Sequence, residues 1–165
     1  KGTIMASRGI DFLITYRVTK LLATPFEKQE AYKFGIIDDK GKVLKKYKTL
    51  KTEKERKAYT LLHRFVFNLK RILQRVGLGS KLGSFAVALA LLIKEDKRYA
   101  QHQSLIEQTV IKYLKENNLY DNILNESREI PEFETDDQVF CTCFGVDVYN
   151  RDEELISEYE YAKTL

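Results

Sequence analysis

Two cysteines, Cys141 and Cys143, and two histidines, His63 and His102, are the soft metal ligands of this 165-residue chain. The cysteines sit two apart in an extended segment and so share one strand face, and with both histidines they would complete a tetrahedral zinc set. The histidines, however, lack paired spacing and fall on distant helical stretches. The cysteines therefore read as small thiols packed in a core. Their spacing is too close in an extended segment for an ordinary bridge, so no disulfide framework is available and a reducing compartment is favoured. A cysteine–histidine hydrolase needs a group to orient the imidazole, and nothing in the sequence supplies one. Glu132, Glu134, Asp136, Asp137 and Asp147 offer the hard oxygen ligands that a divalent cation requires for nuclease chemistry. No Lys or His motif accompanies them, and around Pro131 they read as an acidic connector. Gly77-Leu78-Gly79-Ser80-Lys81 lacks the spacing of a phosphate-cradling loop and follows a helix where such a loop follows a strand, so it is a helix-to-helix turn. The expectation is a non-enzymatic protein without cofactor or metal.

The densest signal is electrostatic. From Lys40 to Lys57 there are nine basic residues, Lys40, Lys42, Lys45, Lys46, Lys48, Lys51, Lys54, Arg56 and Lys57, against Glu53 and Glu55. Lys70, Arg71 and Arg75 extend the basic face along the helix that follows. Such density attracts phosphate backbones through counterion release. The excess of lysine over arginine suits point-charge contact with backbone better than bidentate reading of bases. Tyr47 and Tyr59 are interleaved and could stack on unpaired bases, although tyrosines beside a hairpin ordinarily cover a core. Over the whole chain the charge is split. Residues 1–98 hold 23 Lys and Arg against 9 Asp and Glu (net +14), and residues 99–165 hold 5 against 15 (net −10). Halves of opposite sign either fold onto each other or serve different partners.

The elements that must carry these residues follow from period and caps. At this length and 44% apolar content, a single domain hiding about 70% of its unfolded surface is the default. The longest apolar run, Phe85 to Ile93, is nine residues where about 20 are needed to cross a bilayer. No secretion signal opens the chain, so a soluble protein without a membrane partner is expected. Three capping boxes, Thr24 to Glu27, Thr52 to Glu55 and Ser104 to Glu107, mark helix starts. A helix from about Gly9 to Ala23, with its stripe at Ile10, Leu13, Ile14, Arg17 and Leu21, stops before Pro25. A short helix then ends at Gly35, and Ile36 to Leu44 reads as a small hairpin around an Asp/Lys/Gly turn. The longest helix is expected from about Glu53 to Val76. Ser84 caps an all-round apolar helix from Phe85 to Lys94, read as the central one. An amphipathic helix from Leu105 to Glu116 buries Ile106, Val110, Tyr113 and Leu114 and ends at Asn117-Asn118. Val139 to Tyr149 is the strong strand candidate, and the ending, Asp152 to Tyr159, reads as a short acidic helix or an extended tail.

The stretch Tyr32-Lys33-Phe34-Gly35-Ile36-Ile37-Asp38-Asp39-Lys40-Gly41-Lys42-Val43-Leu44, followed by Ala58-Tyr59-Thr60-Leu61-Leu62-His63-Arg64 and Phe67-Asn68-Leu69-Lys70-Arg71, resembles short uncharacterised or virion-structural proteins of large contractile-tailed bacteriophages. The resemblance covers roughly residues 6–95 and includes no catalytic motif, so it carries no functional residue across. It implies membership of a virus particle, near packaged DNA, and beginning at Lys1 would fit removal of a leader during head maturation. The acidic C-terminal part lies outside it.

These readings combine into an α+β protein, mainly α. Five or six helices surround a central apolar helix, with a basic hairpin at 36–46 in a domain spanning 1–125. An acidic strand and tail at 126–165 pack on the same domain or on a neighbour, and the strand completes a sheet with the hairpin or with another subunit. The expected function is that of a non-enzymatic virion structural or assembly protein, located in the particle and, before assembly, in the host cytoplasm. Its basic face meets nucleic acid or an acidic protein surface. Partners would be other virion proteins, copies of itself, and DNA through non-specific backbone contacts. A regulatory nucleic-acid-binding protein, a metal-dependent nuclease and an assembly protein built on charge pairing between copies are the alternatives.

Overall fold

Thr24 ends the first helix instead of starting the second. Its hydroxyl donates back to the Lys20 carbonyl at 2.8 Å, closing α1 (Gly2–Ala23) just before Pro25 disfavours further helix. The computed structural model describes residues 2–74, 81–121, 123 and 133–164. It is α+β and mainly α, and the chain divides into two compact units, Lys1–Val76 and Gly77–Leu165. This boundary differs from the one expected near residue 125. The first unit holds 19 Lys and Arg against 7 Asp and Glu (net +12), the second 9 against 17 (net −8), so charge is segregated by unit.

In the first unit a 3₁₀ turn at Phe26–Lys28 leads into α2 (Glu30–Lys33). The Gly35 amide donates to Tyr32 and the Ile36 amide to Ala31, at 3.0 and 2.8 Å, with Gly35 at φ +71°. This is a Schellman stop with glycine in the left-handed position. The hairpin expected over 36–46 is reduced to one antiparallel bridge between Ile37 and Val43. A ladder cannot extend because the chain turns away into a 3₁₀ turn at Tyr47–Thr49. The Thr52 capping box forms, Thr52 Oγ1 accepting from the Glu55 amide and Glu55 from the Thr52 amide, at 3.2 and 3.3 Å. It opens α3, which is short (Glu53–Ala58). The single helix expected to Val76 is broken at Tyr59-Thr60, and α4 runs from Leu61 to Gln74. Tyr59 leaves helical geometry (φ −138°, ψ 54°), and its ring enters the core, stacked on Phe67 at 6.1 Å. Thr60 restarts the helix, its hydroxyl accepting the His63 amide at 3.4 Å.

α1 packs on α4. The buried stripe of α1 contains Val18 and Leu22, a face rotated from the one expected, so that Leu13 and Arg17 are exposed. Phe26, Ala31, Ile36, Ile37, Leu50, Tyr59 and Phe67 form one buried cluster, in which the Phe26 ring meets Phe67 edge-on at 5.7 Å.

In the second unit α5 (Lys81–Glu95) starts before Ser84, and the expected turn at residues 77–80 lies outside the described residues. α5 packs against all three strands of an antiparallel sheet and against the 3₁₀ turn Lys97–His102. The central apolar helix is thus covered chiefly by strands. The sheet is a meander of β1 (Val139–Cys143), β2 (Val146–Arg151) and β3 (Glu154–Ser157), in the order β1-β2-β3. The single strand expected from Val139 to Tyr149 is therefore two. Phe144 and Gly145 both take positive φ (54° and 73°), as do Asp152 and Glu153 (51° and 66°). Positive φ at both central positions is the type I′ geometry that matches strand twist in two-residue hairpins.

A final helix, α7 (Glu158–Lys163), is capped by Ser157. α6 runs from Gln103 to Glu116 and stops as expected at Asn117-Asn118, where Asn118 at φ 58° takes the left-handed position. It starts without the third capping box, because Glu107 instead accepts the Phe144 amide. Gln103 donates to the Thr142 carbonyl at 2.6 Å, so α6 supplies partners to the backbone at the end of β1. Tyr113, expected to be buried, is half-buried, and Thr109 is buried in the stripe with Ile106, Val110 and Leu114. No helix among the described residues is long and apolar enough to cross a membrane.

Candidate polyanion-binding face

The basic face is organised by one carboxylate. Asp38 Oδ1 accepts the Lys40 and Lys42 amides, both at 2.8 Å, and the Asp38 amide donates to the Lys42 carbonyl at 2.9 Å. These bonds, the Lys42 amide above all, hold the Asp38 carboxyl below its ordinary range. The turn also needs Gly41, which has φ +80° and lies against the far end of the Phe26 ring. A Cβ there would stand 2.4 Å from Phe26 Cζ. Held in this way, Lys40 and Lys42 face Arg71 and Gln74, which lie one turn apart on α4. The four, with Asp38, line an open groove of about 440 Å³.

Beyond the turn, residues 42–49 are all exposed. Among the described residues, Lys40, Lys42, Lys46, Lys48, Lys51 and Lys54 have no carboxylate within ion-pair distance. Other members of the expected set have local work. Lys45 donates to the Phe34 carbonyl at 3.3 Å, and Arg56 donates to the Leu50 and Lys51 carbonyls at 3.1 and 3.3 Å, tying α3 to the loop before it. Lys57 pairs with Glu53 at 3.3 Å. Lys70, expected on the basic face, is instead only 9% exposed. Its ammonium donates to the Thr24 carbonyl and lies 4.6 Å from the Phe26 ring centroid, and burial pushes its pKa down. Arg75 lies outside the described residues. Of the two interleaved tyrosines, Tyr59 is in the core, and burial raises its pKa. Tyr47 stays 37% exposed, with the Arg64 guanidinium 4.8 Å from its ring centroid.

The sequence reading placed Asp38 in the turn without giving its carboxylate a part in the face, and it missed Gln74 and the Arg64–Tyr47 pair. Asp38 carried a legible signal, since Asp before Lys-Gly favours a side-chain-stabilised turn. Gln74 and Arg64 required the tertiary fold.

The other constellations do not assemble. Among the described residues no group of three or more His, Cys, Asp or Glu is placed to hold a metal ion. Asp137 accepts from the Tyr161 hydroxyl and Asp147 from Thr142 Oγ1, both at 2.7 Å, while Glu132 lies outside the described residues. His63 Nδ1 faces the Thr60 hydroxyl at 2.7 Å. Its pKa is lowered to about 4, first by burial and then by Arg17, so the ring is neutral at physiological pH. Compared with protein-family models, with curated proteins and with solved structures, the chain matches none.

Proposed function

We propose that this chain is a non-enzymatic structural or assembly protein whose first unit holds a polyanion, nucleic-acid backbone foremost, on the face spanning Lys40 to Lys54 and Arg71. The observation that carries the reading is the set of six exposed lysines with no carboxylate within ion-pair distance among the described residues, beside a groove with Lys40, Lys42 and Arg71 on its walls. Exposed ammonium groups on a fixed turn give attraction without base selection, because a point charge reads phosphate and not the donor and acceptor pattern of a base edge. The bacteriophage resemblance supplies the setting, a virus particle and its packaged DNA.

A second reading is favoured by the opposite charges of the two units. Here the basic unit of one copy meets the acidic unit of the next, and assembly proceeds without nucleic acid. Size-exclusion chromatography with light scattering, at low and high salt and with or without a short duplex DNA, tests both. A DNA-shifted peak that reverts in salt supports backbone binding. A salt-sensitive oligomer indifferent to DNA transfers the function to assembly, and a monomer indifferent to both removes the proposal.

A further inference from the structure

β1 carries Cys141 and Cys143 on one face, and the fold brings their Sγ atoms to 2.9 Å. That is inside ordinary non-bonded contact, which for heavy atoms begins at about 3.5 Å. Residues two apart on a strand have Cα atoms roughly 6.6 Å apart, near the upper end of the approximately 4.4–6.8 Å that disulfides span. Spacing along an ideal strand therefore leaves little margin, which is why the sequence argues against a bridge. The register shift of β1 lies before Cys141, and Cys141 and Cys143 themselves pair regularly with Val148 and Val146, so the close approach of the sulfurs rests on how the two side chains are aimed at each other.

We propose that Cys141 and Cys143 are a dithiol redox site that closes reversibly to an intrastrand disulfide, with a low-molecular-weight disulfide such as glutathione disulfide as oxidant. The two sulfurs are not equivalent. Cys141 is half-buried and reachable, whereas Cys143 is fully buried. The contact between the two thiols holds the Cys141 thiol below its ordinary range, while the same contact and burial raise Cys143. Cys141 is thus the attacking group and Cys143 the resolving one.

In the first step the Cys141 thiolate attacks one sulfur of glutathione disulfide. Its S–S bond breaks, one glutathione leaves as thiolate and takes a proton, and a mixed disulfide forms on Cys141. In the second step Cys143 Sγ attacks Cys141 Sγ, the mixed disulfide breaks, and the second glutathione leaves with the Cys143 proton. The protein loses two protons and two electrons, and one glutathione disulfide takes them up to become two glutathiones.

The test equilibrates the native chain in glutathione redox buffers, quenches with N-ethylmaleimide and reads intact mass and oligomeric state. The expected product is a monomer that has lost two hydrogens and accepts no maleimide. Cys143→Ser is expected to stop at one glutathione on Cys141, and Cys141→Ser to stay unmodified. Circular dichroism confirms that both variants are folded. The folded chain is expected to favour the disulfide at least tenfold over the chain in urea, a potential about 30 mV more negative. A retained glutathione on the native chain, a crosslinked dimer, two alkylatable thiols at the most oxidising buffer, or equal equilibria with and without urea would each overturn the proposal.

Discussion

Counterion release turns the exposed lysines into a number. If Lys40, Lys42, Lys46, Lys48, Lys51, Lys54 and Arg71 each meet one phosphate of duplex DNA, the logarithm of the binding constant should fall against the logarithm of salt with a slope of about −6.3, at roughly 0.9 per phosphate. Raising salt from about 50 to about 200 mM then weakens binding about 6,000-fold. The triple variant Lys46→Ala/Lys48→Ala/Lys51→Ala removes three of these seven charges. Its slope should be about −3.6, and the same salt step should cost only about 150-fold. All three side chains are exposed, where such changes typically alter stability by no more than about 0.5 kcal/mol, so the fold survives. Fluorescence anisotropy with a labelled duplex across a salt series reads the slope, and Lys112→Ala in the second unit serves as the control that leaves it unchanged. A triple variant with the parent slope would refute the reasoning, because lysines that release no counterions touch no phosphate. A slope reduced on one duplex sequence only would also refute it, since backbone contact is indifferent to bases.

The buried and exposed cations of α4 should separate cleanly. Lys70→Met is expected to leave the salt slope unchanged, with stability within about 1 kcal/mol, because Gln29 also donates to the Thr24 carbonyl and an apolar stem suits the site. Arg71→Ala should reduce the slope by about 0.9 in the same anisotropy assay. His63 gives the pH dependence. The unfolded chain binds its proton below 6.5 and the folded chain only below about 4, so the stability linked to His63 is complete above 6.5 and is lost as pH falls toward 4. After discounting for its partial exposure, the loss between about pH 7 and about pH 5 is roughly 1–2 kcal/mol. Urea unfolding at the two pH values should show it, and His63→Gln should abolish it. Gly41→Ala places a methyl group against Phe26 and strains a left-handed residue, and chemical denaturation should show a loss of about 2–4 kcal/mol.

Where one local interaction decides an element, the sequence was legible. Thr52 and Glu55 form their capping box, Gly35 and Asn118 stop their helices, and Asp38-Lys40-Gly41 makes its turn. Where two local options compete, tertiary contacts chose. Thr24 and Glu107 both had capping geometry available, yet Thr24 bonds backward to Lys20 and Glu107 reaches the Phe144 amide. Tyr59 breaks an uninterrupted helical pattern because its ring finds Phe67, a partner eight residues away that no window of propensity weighs. Phe144 in the left-handed region hides a hairpin inside what reads as one apolar strand. At the candidate site the lysines were plain from composition. The loss of Lys70 to the interior and the gain of Gln74 in the groove depended on which face of α4 meets α1.

The Phe26 ring packs on Phe67 within the core and also meets Gly41, the buried glycine of the basic turn. Its size sets both the packing density of the first unit and the height at which the Lys40–Lys42 turn is held above the groove. Change at these two positions is therefore not independent. A smaller side chain at 26 would lower the floor and make room for Asn, which tolerates positive φ, at 41, whereas either exchange alone leaves a void or a clash. Homologous chains that keep the groove should vary at 26 and 41 together, and a stability screen of paired substitutions would recover combinations that single substitutions discard.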